Sequence, residues 1–169
     1  MTDYSGLRHS VRHNTRKALL AMIVTLAAFV LPKAVDAPAQ AVTIAQLNTW
    51  VNAEDGHCTY GTQCVSLING YAGFAGVSGV SGNAKDFYAN ANGTWIKYAL
   101  GAHTPTKGDV VVYNANHTGN ASGHVALILE NVSATQFRVF HQNYNGTCAH
   151  KEIISRTGIN GYIRPTTLT

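Results

Sequence analysis

The apolar positions follow three regimes along the chain. Across residues 18–31 they run unbroken, as 14 apolar or near-apolar residues ended by Pro32 and Lys33. From residue 44 they recur at helical spacing. Ile44, Leu47, Trp50 and Val51 predict a short helix over 44–53, with Thr43 and Gln46 placed as a capping box. A polar, Gly-containing loop follows, and then Cys64, Leu67, Ile68 and Tyr71 form one stripe of a helix over 64–74. Residues 83–90 suit a further short helix. After residue 93 the segments shorten and become rich in β-branched and aromatic residues. Strands are predicted at 94–100, at 109–113 after a turn at 105–108, at 123–130, at 136–144, and more briefly at 153–155 and 161–164. The 123–130 strand is apolar enough to be buried on both faces, and a turn at 131–135 pairs it with 136–144. Helices first and antiparallel strands after make an α+β pattern.

The first apolar run has a different meaning. Arg8, Arg12, Arg16 and Lys17 precede it, and Ala39-Gln40-Ala41 follows it. Its length falls short of the roughly 20 residues that span a bilayer. A basic start, a short apolar core and a small-residue exit read as a secretory signal peptide, 1–41, cleaved after Ala41. The alternative is an uncleaved membrane anchor. The remaining 128 residues, 42–169, make one domain and carry no repeat or second hydrophobic stretch.

This division changes the charge argument. The whole chain is +4 with a pI near 9.1, which suggests an anionic partner. Five Lys/Arg and two Asp/Glu lie in residues 1–41, against seven and six in the rest, so the domain itself is +1. That lacks the electrostatic footprint of phosphate binding, and no nucleic-acid partner is expected. Hydrophobic residues at 46% and charged residues at 12% exclude intrinsic disorder. Three cysteines are too few for a disulfide-dense scaffold, and their odd number leaves one thiol over.

Cys64 opens a predicted helix, where unpaired N–H groups and the helix dipole favour a thiolate. His124 opens a downstream apolar strand. A Cys–His pair supplies nucleophile and proton carrier for amide cleavage, and a third polar group must orient the imidazole. His141 and Asn143 fall on one face of the next strand, while Gln142 is expected to point away.

Five segments carry a family resemblance: Tyr60-Gly61-Thr62-Gln63-Cys64, Gly108-Asp109-Val110-Val111, Gly123-His124-Val125-Ala126, His141-Gln142-Asn143-Tyr144 and Gly161-Tyr162-Ile163-Arg164-Pro165. In this order and spacing the chain resembles a CHAP domain (cysteine, histidine-dependent amidohydrolase/peptidase) of the NlpC/P60-like group across residues 50–165. The resemblance implies a papain-like α+β fold, with N-terminal helices packed on an antiparallel sheet. It also implies a secreted bacterial or phage enzyme that cuts peptidoglycan, as an N-acetylmuramoyl-L-alanine amidase or a stem- or bridge-peptide endopeptidase. Cys64 then matches the nucleophile and His124 the base. The family's third position is commonly Glu or Asn in a motif like Glu-x-Asn-Tyr, where this chain has His141 and Asn143. Asn143 is the expected orienter and His141 the alternative, since a neutral His141 lacks the charge that favours an imidazolium. Gln63 and Tyr60 are expected at the substrate or oxyanion side.

Some phage members bind calcium through Asp-x-Asp-Gly before the cysteine. This chain has Glu54-Asp55-Gly56-His57, so neither calcium nor another cofactor is expected. Zinc through His57, Cys58 and Cys148 lacks ligand spacing, and no metal site is expected. A Cys58–Cys148 disulfide would tie the active-site loop to the sheet and leave Cys64 free. His57, His103, His117 and His150 read as solvated loop residues, Trp50 and Trp95 as core or groove lining, and the 114–122 loop as a groove flank. The expected protein is a monomer acting on peptidoglycan outside the membrane. The rival readings are a non-catalytic wall-binding module, for which the His141 replacement is the only support, and a secreted antibacterial toxin with the same chemistry.

Overall fold

The structure is a computed structural model that describes residues 40–119 and 121–169. The leader expected at 1–41 lies almost wholly outside the described residues. Within them no helix is long and apolar enough to cross a membrane.

Among the described residues two helices come first. Helix α1 (Ile44–Glu54) starts at the expected capping box: the Thr43 hydroxyl accepts from the Gln46 N–H, and the Gln46 side chain accepts from the Thr43 N–H. Helix α2 spans Cys64–Phe74 and buries Cys64, Leu67, Ile68, Tyr71 and Ala72, the stripe read from the sequence. A 3₁₀ turn (Ala84–Asp86) leads into a single-turn helix α3 (Phe87–Asn90). Six strands follow: β1 (Trp95–Tyr98), β2 (Val110–Tyr113), β3 (His124–Ser133), β4 (Gln136–His141), β5 (His150–Ser155) and β6 (Ile159–Pro165). The expected flank at 114–122 contains a short helix, α4 (Ala115–Thr118).

All strand pairs are antiparallel, in the order β1-β6-β2-β3-β4-β5. This is the expected α+β architecture. Residues of β2 and β3 alternate between two apolar layers. Val110, Val112, Val125 and Leu127 join Leu47, Ile68, Tyr71 and Phe87 under the helices. Val111, Tyr113, Ala126 and Ile128 face the other way, against Phe137, Val139 and Tyr162. Strand β3 is buried on both faces only over its first five residues, and its far end is exposed. Val42, at the expected mature start, pairs with Leu168 and bonds Thr167 and Thr169.

An aromatic cluster holds α1 and α2 to the sheet. The Trp50 ring stacks on Phe74 at 5.5 Å and meets Phe140 edge-on at 5.9 Å. Asp109 is fully buried at the entry to β2. It is satisfied by Arg164 Nη1 at 2.9 Å, His103 Nε2 at 2.8 Å and the Thr106 N–H at 2.7 Å. His103 is therefore a structural partner rather than a solvated loop residue.

Candidate active site

Two local devices place Cys64 and His124. Cys64 is the first residue of α2, and the turn before it is pinned from the sheet side: Gln142 Nε2 donates to the carbonyls of Gly61 (3.2 Å) and Gln63 (2.6 Å). His124 opens β3 directly after Gly123, whose φ is +68°. A Cβ at Gly123 would stand 2.4 Å from the Tyr113 carbonyl oxygen and 2.8 Å from the Lys85 side chain, so only glycine fits. Cys64 and His124 then line one groove of about 500 Å³ together with Gln63, Gly123, Asn143 and Tyr144.

Behind His124 runs a chain of hydrogen bonds. His124 Nε2 lies 2.9 Å from His141 Nδ1, and His141 Nε2 lies 3.0 Å from Glu152 Oε2. The carboxylate only accepts, so His141 Nε2 carries the proton. His141 Nδ1 is then an acceptor, and His124 Nε2 donates to it. The tautomer of His124 is thereby set, with Nδ1 as the unprotonated nitrogen. Glu152 Oε1 accepts from the Asn145 side-chain amide. The Tyr144 ring closes over both imidazoles, 5.1 Å from His124 and 5.6 Å from His141. His117 is stacked on Tyr113 at 3.8 Å and bonds the Thr157 carbonyl, so it too belongs to this aromatic layer rather than to solvent.

The expected orienter is displaced. Strand β4 ends at His141, and Asn143 adopts a left-handed φ of 56°, which breaks the alternation that put both on one face. Asn143 Nδ2 instead donates to Gln63 Oε1 at 3.1 Å. His141 is the side chain that meets His124. Gln142 does point away from the dyad, but it is fully buried against the α2 turn. Tyr60 is not part of the groove wall. Its hydroxyl donates to Glu54 and accepts from Trp50 Nε1, and its ring packs at Gly70, in the packing beneath α1 and α2.

Electrostatics also differ from the thiolate expected at a helix start. Burial pushes the Cys64 thiol up, outweighing the N–H groups of Val125, Val65 and Cys64 itself that pull it down. Burial is also the main reason His124 falls to about 3, with the neighbouring imidazoles of His141, His117 and His150 adding to it. His141 falls to about 4, again chiefly by burial, with His150 adding and Glu152 opposing. Both shifts favour the neutral thiol and the neutral imidazole at rest. At Glu152 burial acts upward, but the Asn145 amide and the two imidazoles outweigh it and hold the carboxyl below its ordinary value.

Cys58 and Cys148 are joined by a disulfide, which leaves Cys64 as the free thiol and closes the zinc reading through those sulfurs. The 54–57 loop does not suit calcium either. Asp55 is paired with Lys151 Nζ at 2.9 Å, and Glu54 receives the Tyr60 hydroxyl. A metal-capable group of another kind is present: one ligand atom each from His141, His150 and Glu152, all within 4.8 Å of one another. Glu152 and His150 were missed as site residues. The signal was their i, i+2 spacing on a strand just after Cys148, which puts them on one face.

Residues 52–143, more than half of the chain, match the family model for the CHAP domain. The chain belongs to the CHAP domain family. Its fold is shared with several solved structures. Ly7917 is 24% identical with a TM-score of 0.52, over 68% of this chain and 59% of that one. The endolysin LysIME-EF1 is 23% identical with a TM-score of 0.60, over 73% of this chain and 64% of that one. Ly7917 with the hydrolysing product of MDP matches at 23% identity and a TM-score of 0.53, over 68% and 59%. This CHAP chain thus spans about three-fifths of the length of those proteins. No curated protein matches it in sequence.

Proposed function

We propose that this CHAP domain is a secreted peptidoglycan hydrolase that cleaves an amide bond of the cell wall, as an N-acetylmuramoyl-L-alanine amidase or a stem- or bridge-peptide endopeptidase. The observation that carries the reading is the buried relay from His124 through His141 to Glu152, on the wall of the groove that also holds the free thiol of Cys64. Family membership and the endolysin-like fold support it.

In this reading Cys64 Sγ attacks the amide carbonyl as its proton passes to His124 Nδ1. The imidazolium that forms keeps its Nε2–H on His141, and the Glu152 carboxylate stabilises the charge through the His141 ring. The tetrahedral oxygen is received by the Cys64 N–H and by Gln63 Nε2, which is free to donate because Asn143 holds Gln63 Oε1. Collapse expels the amine with the proton from His124 and leaves a thioester. Water, deprotonated by His124, then releases the acid and restores the thiol. The contact of His141 with His124 supports this reading over a non-catalytic module.

The test is Cys64→Ala and His124→Ala against purified peptidoglycan, with turbidity as the rate and mass spectrometry of released fragments as the bond assignment. Both variants are expected to lose hydrolysis with unchanged circular dichroism. Hydrolysis at the native rate by Cys64→Ala would end the reading. A released amino terminus on alanine without muramic acid marks the amidase, and one on another residue the endopeptidase.

A further inference from the structure

The His141, His150 and Glu152 group lies directly behind the dyad, and its donor set is two imidazole nitrogens and one carboxylate oxygen. We propose that it is an inhibitory site for a zinc-class transition-metal ion, and that the bound ion silences Cys64 and His124 by reversing the tautomer of His141. The inhibitory part rests on the reading of His124 as the base.

Two of the three donor separations are close to those of a bound state, and all three lie within 4.8 Å. Around a tetrahedral zinc, with ligand bonds of about 2.0–2.2 Å, donor atoms stand roughly 3.3–3.5 Å apart. Glu152 Oε2 lies 3.0 Å from His141 Nε2 and 3.5 Å from His150 Nε2. Two imidazoles and a carboxylate suit zinc-class ions rather than calcium or magnesium, which take oxygen donors. The outer contacts that orient metal ligands are also in place. His150 Nδ1 lies 2.9 Å from the Cys148 carbonyl oxygen, an acceptor only, so Nδ1 carries the proton and the neutral ring presents a bare Nε2 lone pair to Glu152. Cys148 is itself fixed by the disulfide. Asn145 holds Glu152 Oε1 and leaves Oε2 for a cation. The side chains of His150 and Glu152, 30% and 28% exposed, give a path from solvent.

The coupling to the dyad follows from proton positions. A metal on His141 Nε2 displaces the proton there, so the neutral ring carries its proton on Nδ1. That N–H now donates to His124 Nε2, which must become the acceptor. The proton of neutral His124 therefore moves to Nδ1, the nitrogen that has to take the proton of Cys64. An imidazolium at His124 is equally blocked, because two N–H groups would face each other across the 2.9 Å contact.

The test uses the full chain, stripped of metal by a chelator and titrated with zinc by calorimetry, and with cobalt by absorption. One ion is expected, with no thiolate-to-metal charge-transfer band, and with the same affinity in Cys64→Ala. His150→Ala is expected to weaken zinc at least about tenfold. In peptidoglycan hydrolysis, the zinc inhibition constant of His150→Ala should rise by the same factor, each variant being read against its own metal-free rate. Loss of binding in Cys64→Ala, or unchanged binding in His150→Ala, would place the metal at the thiol and overturn the site. Binding that depends on His150 without inhibition would overturn the switch. A native chain with no metal-free hydrolysis would remove the inhibitory half along with the hydrolase reading, while calorimetry still decides the site.

Discussion

Acid should unfold this domain through its buried imidazoles well before its carboxylates matter. His124 and His141 are 1% and 0% exposed, and burial holds them at about 3 and about 4. In the unfolded chain both return to about 6.5, so between these values the unfolded state binds the extra protons. The sign follows: folded values below unfolded ones mean stability that is whole above about pH 6.5 and lost as pH falls towards 4 and then 3. Within that window each ring costs about 1.4 kcal/mol per pH unit. At about pH 5 each has cost about 2 kcal/mol, roughly 4 kcal/mol together, a large part of the usual 5–15 kcal/mol. For a domain of this size that is on the order of 12–16 °C in Tm. The assay is urea unfolding at several pH values between 8 and 4.5, with EDTA present, followed by tryptophan fluorescence from Trp50 and Trp95. A His124→Gln/His141→Gln variant should show a flatter dependence than the native chain. A native midpoint that stays level from pH 8 to pH 5 would refute the reasoning, because it would mean that the rings are protonated or hydrated in the fold.

Four further outcomes follow from the same geometry. His141→Ala should cut the hydrolysis rate by about 10²-fold or more, since it strands the buried His124 N–H and frees the wrong tautomer, whereas Asn143→Ala, which loosens only Gln63, should cost less; equal losses would return the orienting role to Asn143. Glu152→Gln should lower kcat more than it raises KM, because it removes charge that matters only once the imidazolium forms. Asp109→Ala should destabilise the fold by about 3 kcal/mol in urea unfolding by stranding the Arg164 guanidinium, with part of the loss offset by its bonds to Thr106 and Lys107. Removing the disulfide with Cys58→Ser/Cys148→Ser opens a closure of 90 residues and should cost about 4–5 kcal/mol in the chain-entropy model, again read as an unfolding midpoint.

Helix α2 was legible to the residue because its burial pattern is local: four side chains at helical spacing need only one partner surface. The capping box at Thr43 was legible for the same reason. That Cys64 and His124 share a groove was legible because they sit at element starts, and starts announce themselves by a preceding polar or Gly-bearing loop. Which side chain meets His124 was not, because that depends on where a strand stops. Alternation carried past His141 puts Asn143 beside His124, but the left-handed backbone at Asn143 turns it to Gln63, and no period in the sequence signals that turn. Tyr60 was misplaced for a related reason. Cys64, four residues on, faces the groove, yet the Tyr60 ring packs at Gly70 of α2 and beside Trp50 of α1.

On the proposed reading, the relay also answers the objection raised by the sequence. A His in place of the family's Glu supplies no charge beside the imidazole, and on its own would favour the neutral pair that burial already imposes at Cys64 and His124. The charge is not absent but moved one position outward, to Glu152, whose carboxyl is held ionised and 28% exposed on the neighbouring strand. A carboxylate in direct contact would hold an ion pair at rest. One placed behind a neutral ring acts most strongly when a proton arrives, since only then does His124 carry charge for the polarised His141 to transmit. On the proposed reading, the arrangement favours a thiol that is quiet until substrate fills the groove. The partial exposure of Glu152 and His150 also opens the relay to solvent, where a metal ion can reach it without entering the groove.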